Sequence, residues 1–216
     1  MMQDKDIQAL ERKVFRATVN DGLADIRAGF ILSIFAIAPL LSSTLGDFWS
    51  SAVWLPVYLA VDVLLRLVKR RVVIPRLGHV QFGPERKARM RRTMMILLAV
   101  NVVFFIAGLA FSIRFTGGFR PSAWTVAAAT ALLLVAAFSI AALVLQLNRF
   151  FAYGIGTALA SVAGEWLFQR GMASHHGFPL AFGASSVILI GIGVLQFMHF
   201  LHHHPVSPEG ENNGCE

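Results

Sequence analysis

The stretch KRRVVIPRLGHVQFGPERKARMRR, residues 69–92, decides the architecture of this chain. It carries nine Lys or Arg side chains and a single acid, Glu85. On either side lies an apolar run close to the 20 residues that an α-helix needs to cross a hydrocarbon core of about 30 Å. A basic loop between two such runs is typical of the cytoplasmic side of an integral membrane protein.

The composition supports the same class of protein. The chain has 56% hydrophobic and 14% charged residues, and its mean hydropathy is +0.64. A soluble domain cannot bury so much apolar surface. The formal charge of +7 does not indicate nucleic-acid binding, because the basic residues cluster beside apolar runs and no nucleic-acid-binding pattern is present. We expect anionic lipid headgroups as the partner, at about 1 kcal/mol per basic residue near the surface.

The apolar runs predict an all-α integral membrane protein with about six transmembrane helices in a domain over residues 28–201. The fourth run is the longest uncharged one, whereas the fifth is diluted by glycines and Glu165. A disordered cytoplasmic tail is predicted for 202–216. The six predicted spans are 28–45, 48–68, 94–113, 123–147, 150–168 and 180–201.

The distribution of positive charge predicts the orientation. With a cytoplasmic amino terminus, fifteen Lys or Arg residues fall on the inner side and three on the outer side. Both termini are then cytoplasmic, and the protein is predicted to lie in the inner membrane of a bacterial cell. The four tryptophans fall at the outer ends of their spans, as an interfacial belt requires: Trp49, Trp54, Trp124 and Trp166.

Two cytoplasmic elements are predicted outside the spans. Residues 1–27 place apolar side chains on one helical face, which predicts an amphipathic helix lying on the inner membrane surface, with a docking helix for a protein partner as the alternative. Within the basic loop 69–93, the β-branched residues on both sides of Pro75 and Gly78 predict a short β-hairpin over 71–82.

Two strings carry a resemblance to a protein family: PRLGHVQF, residues 75–82, and NDGLADI, residues 20–26. Together with the order of elements, they resemble a group of small bacterial multi-pass membrane proteins that have a PRxGxVxF cytoplasmic loop. No activity is assigned to that group, so the resemblance implies the topology and no function.

Polar residues inside the spans are candidates for a functional site, since a charge at mid-bilayer costs about 2.5 to 3.5 kcal/mol. Asp62 lies seven residues before Lys69, and Asn101 lies at a similar depth in the next predicted span. These two residues predict either a hydrogen bond between packed helices or a polar path for a proton or ion. Pairing of Asp62 with Arg66, one turn later, is the simpler interpretation.

The remaining candidates lie on the cytoplasmic side. One is a basic surface for anionic lipid or a protein partner, formed by Arg76, Arg86, Lys87, Arg89, Arg91 and Arg92. A weaker one is a metal site at His199, His202 and His203, which lacks a nearby Cys, Asp or Glu. No enzyme motif and no cofactor motif is present. The sequence therefore favours a noncatalytic membrane protein that binds lipid or a partner, with a small transporter or channel near Asp62 and Asn101 as the alternative.

Overall fold

The computed structural model describes residues 20–77, Met95 and 122–204. All regular secondary structure in these residues is helical. A π-helical turn, Lys69–Val73, joins the second helix to the third, and a 3₁₀ turn, His175–Gly177, precedes the last helix. The helices are α1 (Leu23–Ala52), α2 (Trp54–Val68), α3 (Ile74–Leu77), α4 (Ala123–Leu145), α5 (Arg149–Gln169) and α6 (Phe178–His203).

Helix α1 begins where the chain turns at Gly22, which has a φ of 78°. The backbone N–H of Leu23 donates to Asp21 Oδ1 at 3.0 Å, so Asp21 satisfies one of the free donors at the start of the helix. The helix breaks at Gly46, where φ is 77° and ψ is 161°. The predicted boundary between the amphipathic helix, 1–27, and the first span, from residue 28, therefore falls inside one continuous helix. Residues 1–19 of the predicted amphipathic helix lie outside the described residues.

Helices α4, α5, α6 and α1 pack side by side in this order, and each is antiparallel to the next. The turn between α4 and α5 is made by Gln146 in a left-handed conformation, with a φ of 56°. Helices α1 and α6 approach each other closely, since a Cβ added at Gly193 would lie 2.8 Å from the Ile26 amide nitrogen. Aromatic rings of α4, α5 and α6 fill the centre of the bundle, among them Phe138, Phe150 and Phe182.

Charged residues collect at one end of this bundle, which we call the charged end. It contains the start of α1, the end of α2 with α3, the α4–α5 turn and the end of α6. A small apolar cluster of Leu23, Val73 and Phe200 holds three of these elements together. The helix directions place all four tryptophans towards the opposite end, as the predicted belt requires.

Four helical segments of the described chain are long and apolar enough to cross a membrane, and they indicate a multi-pass membrane protein. They match the first, second, fourth and sixth predicted spans. Helix α5 coincides with the fifth predicted span and has 21 residues, but it is not among the four apolar segments. The third predicted span, 94–113, lies outside the described residues except for Met95. The four segments are Leu23–Ser42, Phe48–Arg76, Ala123–Leu145 and His175–His203.

The predicted β-hairpin over 71–82 is wrong. Its described part, residues 71–77, is helical, and the described residues contain no strand. The β-branched Val72, Val73 and Ile74 suggest a strand locally, but Val73 is fully buried against Leu23 and Phe200, and this packing favours continuation of the helix. Pro75 is the second residue of α3, where its missing N–H costs little.

Candidate functional site

The predicted pair of Asp62 and Arg66 is present, and a third residue joins it. Asp62 is 6% exposed on α2, and its Oδ2 accepts from Arg66 Nη2 at 2.6 Å. Its Oδ1 accepts from Nη2 of Arg27 on α1. Asn101 lies outside the described residues, so its contact with Asp62 stays a prediction. Sequence spacing did not reveal Arg27, because it is 35 residues away and meets Asp62 only through helix packing.

A second ion pair joins α1 to α5 at the charged end. Asp25 is fully buried, and Arg149 binds both of its oxygens, through Nε at 2.8 Å and Nη2 at 2.5 Å. Arg149 also donates to Asn20, and the Tyr153 hydroxyl hydrogen-bonds to Asp25. The bidentate contact of Arg149 gives both oxygens of the buried Asp25 carboxylate a hydrogen-bond donor. It also holds the start of α5 against α1.

A third pair joins the chain just before α1 to the turn after α2. Lys69 Nζ lies 3.3 Å from Oδ2 of Asp21, whose side chain is 1% exposed. Burial raises the pKa of the Asp21 carboxyl, and the charge of Lys69 partly offsets this shift. The sequence alone does not reveal this pair, because Asp21 and Lys69 are far apart in the chain and meet only through helix packing.

The predicted basic surface is described only at Arg76. Its Nη1 donates to the backbone oxygens of Leu201 at 3.0 Å and His204 at 3.3 Å, so this side chain caps the end of α6. A contact of the surface with lipid or a partner stays a prediction. Its other members lie outside the described residues: Arg86, Lys87, Arg89, Arg91 and Arg92.

The predicted histidine cluster lies in the last turns of α6. The ring centroids of His199 and His203 lie 4.0 Å apart, and His203 Nδ1 hydrogen-bonds to the backbone oxygen of His199 at 3.0 Å. His202 lies on the same last turn of α6. Within the described ranges, no three side chains of His, Cys, Asp or Glu lie close enough to hold a metal ion together.

At the opposite end of the bundle, a carboxylate and an imidazole form a pair between α5 and the turn before α6. Glu165 is 1% exposed, and its Oε2 lies 3.0 Å from His176 Nδ1. Its Oε1 accepts from Gln169 Nε2 at 3.2 Å. The His176 ring packs on Phe168 at 4.4 Å. The neighbouring residue Gly164 lies in close contact with Gly177 of the turn, and this close packing leaves little room for solvent at Glu165.

The described helices enclose an apolar crevice of about 780 Å³ between α1 and α4. Its floor is formed by rings of α5 and α6, including Phe150 and Phe182. Phe35 and Leu133 on its rim are 56% and 58% exposed, so the crevice opens to the outside of the described bundle. Single helices do not reveal such a space, since it depends on which helices pack as neighbours.

Three of the seventeen side chains that line the crevice carry a hydroxyl, and the others are purely hydrocarbon. Ser42 donates to the Pro39 backbone oxygen at 2.8 Å, and Thr130 donates to the Val126 backbone oxygen at 2.9 Å. These two hydroxyls therefore donate their hydrogen bonds to backbone oxygens of their own helices. Ser50, the third, is 3% exposed. The lining suits a hydrocarbon ligand better than a polar solute.

Comparison with known proteins found no matching family model, curated protein sequence or solved structure. The resemblance to the multi-pass group with the PRxGxVxF loop stays a prediction.

Proposed function

We propose that this protein is a noncatalytic membrane protein that binds a lipid, with an acyl chain of the lipid in the crevice between α1 and α4. The observation that carries the proposal is the crevice itself. Its volume of about 780 Å³ falls in the usual range for ligand sites. Its lining is apolar, and its rim is exposed on helices that are long and apolar enough to span a bilayer.

The direction of the crevice supports this occupant. Along α1 its lining runs from Ala28 to Ser42, which is about 21 Å of helix. An extended hydrocarbon chain has this elongated form, and it needs no polar partner. Lipid can enter sideways between Phe35 and Leu133, because both side chains are exposed at the rim. A water-soluble ligand would have to cross the hydrocarbon region to reach the same opening.

The contacts of Asp62 give less support to a polar path. Both carboxylate oxygens of Asp62 accept from arginines, Oδ1 from Arg27 and Oδ2 from Arg66. A carboxylate held in this way is poorly placed to bind and release a proton or a cation. We therefore do not propose the transporter that the sequence offers as an alternative.

The test is to fill the crevice and count retained lipids. Ala137 lines the crevice on α4, whereas its exposed neighbour Ala136 does not. We expect Ala137→Phe to retain less lipid than wild type in native mass spectrometry after release from nanodiscs, and Ala136→Phe to retain as much as wild type. Equal retention in all three proteins would refute the proposal.

A second measurement locates the bound lipid. Phospholipids with a photoreactive group in the acyl chain should crosslink to peptides of α1 and α4 that line the crevice. These crosslinks should weaken in Ala137→Phe and persist in Ala136→Phe. Crosslinks spread evenly over the apolar surface would contradict a specific site.

A further inference from the structure

We propose that Arg27, Asp62 and Arg66, which we call the arginine cluster, bind the phosphate of an anionic phospholipid whose acyl chain occupies the crevice. This inference rests on the proposed function. It adds the class of lipid and the side chains that select it.

The cluster has an excess of positive charge. A single carboxylate, Asp62, faces two guanidinium groups, one on each of its oxygens. Since guanidinium stays protonated in proteins, the three side chains together carry one net positive charge. Asp62 is buried and serves as a positioning residue, because it fixes Arg27 and Arg66 relative to one another.

The two arginines keep donors available for an anion. Each uses Nη2 to bind Asp62, and a guanidinium has five N–H donors. The Arg27 side chain is 41% exposed and that of Arg66 is 74% exposed. Their remaining donors can therefore reach a ligand at the surface. The planar guanidinium pairs well with a phosphate, often through two hydrogen bonds.

The other described ion pairs at the charged end lack this excess. Asp21 pairs with Lys69, and Asp25 pairs with Arg149, one basic side chain to each acid. Arg76 donates to the backbone oxygens at the end of α6. Arg70 and Arg71 are exposed on the turn after α2 and add positive charge to the surface. Among the described residues, the arginine cluster is thus the place where a fixed pair of guanidinium groups is incompletely neutralised.

The cluster lies beside the start of the crevice. Arg27 directly precedes Ala28, the first lining residue, and is one helical turn before Ile31, which also lines it. A phosphate on Arg27 would therefore place the attached acyl chain at the entrance of the crevice. The lining then continues along α1 towards Ser42, away from the charged end. One amphiphile can contact both features, whereas a free phosphate would use the cluster alone.

The experiment measures which lipid is retained. Wild type is placed in nanodiscs of equal parts phosphatidylglycerol and phosphatidylcholine, and the lipids retained after release are identified by native mass spectrometry. We expect an excess of phosphatidylglycerol. Arg27→Gln and Arg66→Gln should each lower this preference about tenfold, the factor that one hydrogen bond to a charged group contributes.

These variants preserve the fold, because each leaves Asp62 with one arginine partner. Arg70→Gln and Arg71→Gln remove the same charge from the exposed turn and serve as controls that should keep the preference. No excess of phosphatidylglycerol in wild type, or an equal loss in the controls, would overturn the inference. If the crevice proposal itself is wrong, Ala137→Phe will retain as much total lipid as wild type. That outcome differs from an unchanged lipid preference in the arginine variants, which concerns the arginine cluster alone.

A last arm separates lipid from soluble phosphate. Glycerol 1-phosphate carries the same phosphate without an acyl chain, so we expect it to compete weakly for the lipid in wild type. If it binds as tightly as phosphatidylglycerol does, and equally well to wild type and Ala137→Phe, the cluster is a site for a soluble phosphate and the inference is wrong.

Discussion

Asp25 on α1 and Arg149 at the start of α5 form a bidentate ion pair between residues 124 positions apart in the chain. Asp25 is fully buried and the Arg149 side chain is 21% exposed. Removal of one partner leaves the other without compensation, which costs about 3 to 5 kcal/mol for buried pairs. We expect Arg149→Ala to lower the free energy of unfolding by about 3 kcal/mol in reversible unfolding in mixed micelles.

A double-mutant cycle isolates the pair from the packing of each side chain. Asp25→Asn combined with Arg149→Ala should cost less than the sum of the two single variants, because no uncompensated charge then remains. Additive costs would show that Asp25 and Arg149 stabilise the bundle through separate contacts. Arg170→Ala is a suitable control, since its guanidinium lies 3.9 Å over the Trp166 ring at an exposed position.

Four of the six predicted spans coincide with long apolar helical segments of the described chain, whereas most contacts between the helices are not predictable from the sequence. The spans 48–68 and 123–147 are predicted from the length of their apolar runs. This property is summed over about 20 residues, so a change in one side chain barely alters it. Arg149 illustrates the limit, because its pairing with Asp25 depends on α5 lying against α1. Val73 illustrates another limit, since its β-branched neighbours predicted a strand and burial against Phe200 determined a helix. The crevice also depends on helix order, which periodicity does not encode.

The contact between α1 and α6 predicts a sharp difference between two glycines of α6. A Cβ at Gly193 would lie 2.8 Å from the Ile26 amide nitrogen and 2.9 Å from the Gly22 backbone oxygen. A Cβ added at Gly191 would have no neighbouring atom of the described residues within 4 Å. We expect Gly193→Ala to destabilise the protein by about 1 to 3 kcal/mol, the usual cost of overpacking.

Gly191→Ala is the matched control for this substitution. It should be neutral, or stabilising by about 0.5 to 1 kcal/mol, because alanine is the better helix former. Thermal unfolding of the detergent-solubilised variants measures both effects. Equal unfolding temperatures for Gly191→Ala and Gly193→Ala would contradict the close packing of α1 on α6.

Asp21 predicts a pH dependence of stability. Burial raises the pKa of its carboxyl above 3.8, so the folded protein binds this proton more tightly than the unfolded chain does. Its contribution to stability is therefore greatest below 3.8 and is lost as the pH rises through the raised pKa. Asp21→Asn removes this titration and keeps an oxygen for the Leu23 N–H.

The measurement is the unfolding temperature of wild type and Asp21→Asn over a series of pH values. We expect the wild-type value to fall relative to the variant as the pH rises above 3.8, and the difference to become constant at higher pH. Other carboxylates titrate in both proteins, so the difference reports Asp21. Parallel curves over this range would contradict a raised pKa.

The pair of Glu165 and His176 predicts how the turn before α6 is held. His176 contributes a hydrogen bond to a buried carboxylate, a class of contact that contributes about 1.5 to 3 kcal/mol. Its side chain is 47% exposed, so we expect His176→Ala to cost about 1.5 kcal/mol, at the low end of that range. Residues 170–177 should then exchange amide hydrogens faster, as measured by mass spectrometry.

Two further variants distinguish this pair from a general effect of the turn. His175→Ala alters the exposed neighbouring residue and should leave hydrogen exchange unchanged. Glu165→Gln added to His176→Ala should recover part of the lost stability, because the buried group then carries no charge that needs a partner. If the double variant is no more stable than His176→Ala, the imidazole acts through its packing on Phe168, at 4.4 Å, and not through Glu165.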